Sequence, residues 1–294
     1  MTKFIRILLL FVLCISLSYC SDDDNEPTTK NLSLNIDGLE DLGPDFVYEG
    51  WIIVNAAPVS TGRFTVNGNG QLSQTSFVMD IDMLAAATTF VLTIEPVVGD
   101  APGPTDVHIL GGDFAGNSSQ LSISHGAALG NDFMDASGNY ILATPTNGGD
   151  TDEFSGIWFL DLSAGAPPTA GLNLPTLPAG WIYEGWVVTG GQPVTSGKFL
   201  SVTGVDEFDD FSGDMDGPAF PGEDYLVNPP AGLDFPIVLR GGKAVISIEP
   251  EPDNSPNPFL LKPLVGDIPA DAMDHVTYPI GQNLASFPTG SASR

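Results

Sequence analysis

Tyr48-Glu49-Gly50-Trp51-Ile52-Ile53-Val54, followed by Pro58-Val59 and Gly62-Arg63-Phe64, returns later as Tyr183-Glu184-Gly185-Trp186-Val187-Val188, Pro193-Val194 and Gly197-Lys198-Phe199. The offset is 135 residues throughout. Further on, Leu92-Thr93-Ile94-Glu95-Pro96 matches Ile246-Ser247-Ile248-Glu249-Pro250, and Gly112-Asp113 matches Gly266-Asp267, both at an offset of 154. The second copy therefore carries 19 extra residues, which fall between Val202 and Leu239. A spaced match with a period near 135 indicates duplicated domains rather than a solenoid.

Each copy reads as strands. Leu32, Leu34 and Ile36 alternate with polar residues, and Phe46 to Val54 is rich in aromatic and β-branched side chains. Similar runs recur between Gly, Pro, Asn and Asp punctuation, as short β-strands do. The composition agrees: 34 Gly, 25 Pro and only 16% charged residues. Helix signal is confined to a turn or two at Ile81 to Ala87. The expected fold is all-β, with two tandem β-sandwich-like domains. Domain 1 is expected over residues 31–163. Domain 2 is expected over 164–294, with an acidic insertion at about 203–238. The boundary is placed in the Gly/Ala/Pro-rich stretch Ser163 to Thr169.

The N-terminus predicts an address. Lys3 and Arg6 precede a continuous apolar run, Ile7 to Ile15, too short to span a bilayer. The run ends in Leu17-Ser18-Tyr19-Cys20, which resembles a lipobox, although Tyr19 stands where a small residue is usual. Residues 1–19 are expected to be a cleaved signal peptide and Cys20 the lipidated N-terminus. Cys14 would leave with the peptide, so Cys20 has no partner for an internal disulfide. Residues 20–30, with Asp22, Asp23, Asp24 and Glu26, read as a flexible acidic tether. The expected location is the cell envelope, as an outer-membrane lipoprotein facing either the periplasm or the outside. The expected membrane contact is through lipid alone.

The 9 basic residues less Lys3 and Arg6 leave 7 against 37 acidic ones, a mature charge of −30. Such a surface repels phosphate backbones, so nucleic acid is excluded as a partner. Solubility is the plainer role for that charge; capture of cations or of a basic partner is the alternative.

The repeated Tyr-Glu-Gly-Trp, the following Pro-Val and Gly-x-Phe, and the strand ending Ile-Glu-Pro resemble the extracytoplasmic domain of anti-sigma-K factors. In the first copy the tract Leu110-Gly111-Gly112-Asp113-Phe114 extends the likeness. The resemblance covers roughly 31–162 and, more weakly, 171–290. It implies an envelope β-domain that senses or binds. The chain lacks the cytoplasmic sigma-binding segment and transmembrane helix of that family, so holding a cytoplasmic sigma factor directly is not implied. No catalytic residue carries over.

Glu49 and Glu184 are the candidate ligand or partner contacts. Strand alternation sets Glu49 on the face opposite Tyr48, as an exposed carboxylate beside a packed ring. The neighbouring Trp51 and Trp186 are expected in the core rather than on a ligand platform. Glu95-Pro96 and Glu249-Pro250 read as strand terminators. In the insertion, Ser212, Asp214, Asp216, Gly217 and Glu223 fall at positions 1, 3, 5, 6 and 12 of a calcium loop. An acidic surface loop is the plainer reading of the same residues. Calcium is thus the one cofactor in question.

The chain has three histidines, none in a H-E-x-x-H motif, and no G-x-S-x-G elbow, so no enzyme is expected. The expectation is a non-catalytic binding or sensing lipoprotein with another envelope protein as partner. The alternative is a surface adhesin or glycan-binding lipoprotein, which would expose its aromatic residues.

Overall fold

A computed structural model describes residues 27–294 apart from Asn254. The expected signal peptide, Cys20 and most of the expected tether lie outside the described residues. No helix among the described residues is long and apolar enough to cross a membrane.

The fold is all-β. The first part of the chain forms β1 (Thr29–Asp37), β2 (Phe46–Val54), β3 (Ala57–Phe64), β4 (Ser76–Asp80), α1 (Ile81–Ala86), β5 (Thr89–Pro96), β6 (His108–Ala115) and β7 (Ser118–Leu121). Next come β8 (Ser137–Leu142), β9 (Gly156–Trp158), β10 (Leu160–Asp161), β11 (Thr169–Ala170) and β12 (Leu172–Asn173). The remainder is β13 (Trp181–Thr189), β14 (Gln192–Phe199), β15 (Gly222–Asp224), β16 (Lys243–Pro250), β17 (Leu264–Asp267), β18 (Tyr278–Gln282) and β19 (Thr289–Ser293).

Two large antiparallel sheets result. One runs β3-β2-β5-β6-β7-β19-β1-β4; the other runs β14-β13-β16-β17-β18-β8-β9-β15, with β12 also pairing β8. The orders superimpose strand for strand, and the duplication reaches into fine detail. Both first hairpins carry a bulge, between Gly50 and Trp51 and between Gly185 and Trp186. Opposite each bulge a glycine adopts positive φ, 127° at Gly62 and 110° at Gly197, which explains the Gly of Gly-x-Phe. Tyr48 stacks on Phe64 and Tyr183 on Phe199, each at 5.6 Å between ring centroids. Each tyrosine hydroxyl donates to a carbonyl eight residues upstream, Glu40 at 3.0 Å and Pro175 at 2.7 Å.

The strands do not divide between the sheets at the expected boundary of 163/164. After β7 the chain crosses over, and β8 and β9 enter the second sheet. After β18 it crosses back, and β19 enters the first sheet between β7 and β1. The exchange is reciprocal: each repeat donates the strand that follows its fifth sheet position to the other repeat's sheet. A single apolar core accordingly runs through both halves, from Leu32 and Phe90 to Ile246 and Ala292.

The insertion is folded. It supplies β15, which pairs with β9, and an aromatic nest in which Phe211 packs on Phe208, Tyr225 and Phe235 at centroid separations of 4.9 to 5.9 Å.

Candidate functional site

The repeated Glu of Tyr-Glu-Gly-Trp lies at the centre of a cross-strand row. In the first repeat, Arg63 on β3, Glu49 on β2 and Thr93 on β5 are register partners. In the second, the row is Lys198 on β14, Glu184 on β13 and Ser247 on β16. Alternation does separate Glu49 from Tyr48, but the face opposite Tyr48 is not solvent. Arg63 and Ser60 hydrogen-bond Glu49 there, and Asp100 holds the far end of Arg63. Glu49 and Glu184 are each only 4% exposed, which corrects the expectation of an exposed carboxylate at Glu49.

Behind each row runs the same buried polar chain. Trp51 Nε1 donates to Thr93 Oγ1 at 2.9 Å, Thr93 donates to Glu95, and Glu95 also accepts from the Thr105 N–H at 3.0 Å. Trp186 Nε1 donates to Ser247 Oγ at 2.8 Å, Ser247 donates to Glu249, and Glu249 also accepts from the Phe259 N–H at 2.9 Å. Trp51 and Trp186 are buried, as a core placement requires. Pro96 and Pro250 do end their strands, but the preceding glutamates are buried acceptors as well as strand ends. Burial pushes Glu184 up to about 7 and Glu249 up to about 8. One hydrogen bond from Thr195 and the charge of Lys198 hold Glu184 lower than burial alone would.

The repeats differ in how the row is neutralised. Arg63 donates through Nε to Glu49 at 2.6 Å and pairs through its other end with Asp100. Lys198 pairs with Asp253 at 3.0 Å. Glu184 keeps one hydrogen bond, from Thr195 Oγ1 to Oε1 at 2.5 Å, while its buried Oε2 has no partner. Among the described residues, Glu184, Glu249 and Asp253 form the one set of three or more carboxylate, imidazole or thiol groups whose ligand atoms lie within 4.8 Å of one another.

The expected calcium loop does not assemble. Ser212 Oγ hydrogen-bonds Glu223, so positions 1 and 12 do meet, but Glu223 is turned inward and is fully buried. Asp214 and Asp216 stay exposed. The reason is pairing of β15 with β9, which draws Glu223 and Asp224 into the protein. Asp224 there accepts from Trp158 Nε1 at 2.7 Å and from the Thr146 N–H at 2.8 Å. Burial raises Glu223 to about 8. Asp214 and Asp216 line a cavity of about 440 Å³ with Asp206, Glu207 and Asp209.

A second cavity, of about 520 Å³, opens where the two repeats meet. Phe46, Ile94 and Val107 from the first repeat and Pro250 and Phe259 from the second give it apolar walls. Glu40, Asp41, Asp106, Glu249, Glu251 and Asp253 line it too, and no Lys or Arg does. Burial raises Glu40 to about 7 against the opposing pull of Lys262. Periodicity gave no sign of this cleft, because its walls come from strand ends and loops that only the tertiary fold brings together. Comparison with family models, curated proteins and solved structures finds no match to this chain.

Proposed function

We propose that this chain is a non-catalytic envelope lipoprotein, anchored through Cys20, whose interlocked repeats bind or sense a basic segment of another envelope protein. The observation that carries this reading is the inter-repeat cleft, with apolar walls, six carboxylates and no basic side chain in its lining. Clefts between domains are the usual place for a ligand. Apolar walls supply burial, and the exposed carboxylates Asp41, Asp106 and Glu251 steer and orient a cationic partner. The resemblance of the repeats to the extracytoplasmic domain of anti-sigma-K factors supports sensing rather than turnover. The buried glutamates support it as well, since Glu95 and Glu249 already accept from hydroxyl and backbone N–H donors.

The alternative of a glycan-binding adhesin would offer flat aromatic faces to sugar. All four tryptophans, Trp51, Trp158, Trp181 and Trp186, are buried, which favours the first reading.

The test is photo-crosslinking in living cells, with a photoreactive residue replacing Leu42 in the cleft of the full lipoprotein. One envelope-protein adduct is expected, and it should disappear when Asp106→Lys and Glu251→Lys are added. No adduct from the cleft, together with glycan-array binding by the purified protein, would overturn the reading. Loss of palmitate labelling in Cys20→Ser checks the anchor; labelling that persists would refute it.

A further inference from the structure

Arg63 and Lys198 hold the same register position, opposite Glu49 and Glu184. In the first repeat a guanidinium fork reaches two carboxylates at once, Glu49 and Asp100. In the second, the single ammonium of Lys198 is committed to Asp253, at 3.0 Å from its carboxylate and 3.4 Å from its carbonyl oxygen. Glu184 is therefore left with a buried oxygen, Oε2, that nothing contacts by hydrogen bond. An unpaired carboxylate oxygen in so buried a side chain is costly, and native proteins rarely leave one without a ligand.

Glu184, Lys198 and Asp253 border a cavity of about 400 Å³. Glu249 is close by: one oxygen of each of the three acids lies within 4.8 Å of the others. Calcium–oxygen distances of about 2.3–2.6 Å place two ligands of one ion no more than about 5 Å apart, so the spacing suits one such ion. We propose that Glu184, Glu249 and Asp253 form a calcium site in the second repeat, at the position that Arg63 fills in the first.

The donor set is all oxygen, with no imidazole or thiol, which selects a hard cation over zinc. Calcium takes six to eight oxygens, and the cavity has room for waters to complete its shell. Ser247 and the Phe259 N–H occupy only part of the acceptor capacity of Glu249. Entry of the ion replaces Lys198 as the partner of Asp253. The Lys198 side chain is already a quarter exposed, so its ammonium can turn to water. Glu249 and Asp253 also line the inter-repeat cleft, whereas Glu184 borders the other cavity, so binding of the ion and binding of a cleft partner are read by separate measurements.

The test is calorimetric titration of the full-length protein in detergent micelles with calcium chloride, alongside thermal melts in calcium and in chelator. Terbium luminescence excited through tryptophan reports the same site, since Trp186 joins Glu249 through Ser247. One site is expected, with a Tm several degrees higher in calcium and a smaller rise in magnesium. Glu184→Gln should weaken calcium at least tenfold. Lys198→Arg removes no ligand, but it supplies the fork that fills the site in the first repeat, so it should weaken calcium at least tenfold while melting no lower in chelator. Asp216→Asn should bind as the parent does. If Glu184→Gln fails to fold, Lys198→Arg decides. A parent protein with neither a titratable site nor a calcium-dependent Tm overturns the proposal. So does a site that Lys198→Arg keeps and Asp216→Asn loses, which would put the ion on the insertion.

Discussion

Ala292, near the C-terminus, pairs with Leu34 on β1, so the first sheet is closed by a strand that arrives from the end of the second repeat. On its other side the same strand pairs with β7, Gly290 opposite Leu121. Because β8 makes the reverse crossing, neither sheet is complete within its own repeat. Unfolding should therefore be a single cooperative transition, with calorimetric and van't Hoff enthalpies in agreement. Two resolved transitions in a scanning calorimeter would show that the exchange does not couple the halves.

The closing strand should also be sensitive to single substitutions. A Cβ at Gly290 would meet the Asn35 carbonyl oxygen at 2.5 Å and Ile36 Cα at 2.9 Å. Both are positions on the paired strand, with no flexible side-chain end to yield. Gly290→Val should cost about 2–4 kcal/mol through overpacking and lost pairing. A urea melt reads this as a lower midpoint; an unchanged midpoint would mean that β19 is not held between β7 and β1.

Arg63 supplies the positive charge within reach of two carboxylates that are themselves nearly buried. Arg63→Ala should cost about 1–3 kcal/mol, less than a fully buried pair because the arginine is partly exposed. The companion test is Thr93→Val, which strands both the Trp51 indole N–H and one contact of Glu95. It should cost about 1–3 kcal/mol. Denaturant titrations at neutral pH measure both, and changes under half a kcal/mol would show that neither chain matters to stability.

Glu223 gives a pH dependence of known sign. Its carboxyl, ordinarily near 4.5, is pushed up to about 8 by burial in the folded chain. A raised carboxyl favours the folded state fully below its unfolded value. That contribution is lost as pH rises from about 4.5 through about 8. Glu223→Gln should remove this loss, so the variant should gain on the parent as pH increases, by a few kcal/mol at most above pH 8. Thermal melts at pH 4, 6 and 9 check it. A stability difference that stays flat, or that runs the other way, would show that Glu223 ionises freely.

Several levels of this structure were legible in the residues. The duplication, the all-β class, the short helix at α1 and the extra segment in the second copy follow from the repeated words and the turn residues. The glycines of Gly-x-Phe announced a bulge only once the hairpin was in view. The two glutamates were noticed because they repeat, but alternation could not say what covers the second face of a strand. Period two distinguishes one face from the other; it does not state which of them meets water. The calcium spacing in the insertion misled for a related reason. Spacing along a chain gives convergence only if every ligand turns to one point, and pairing of Gly222–Asp224 with β9 turns Glu223 inward while Asp214 and Asp216 stay exposed.

The sequence by itself determined which segments become strands and that they do so twice, because side-chain size, branching and turn chemistry act over a few residues. Only the tertiary structure decided where β8 and β19 go, since a strand's edge can pair with any open edge: β8 leaves β7 and pairs with β18, and β19 leaves β18 and pairs with β7 and β1. It alone gathered Glu184, Glu249 and Asp253, which come from β13, the end of β16 and the loop beyond it. Their charges meet because the apolar faces of those strands pack, and packing acts between residues that the chain keeps far apart.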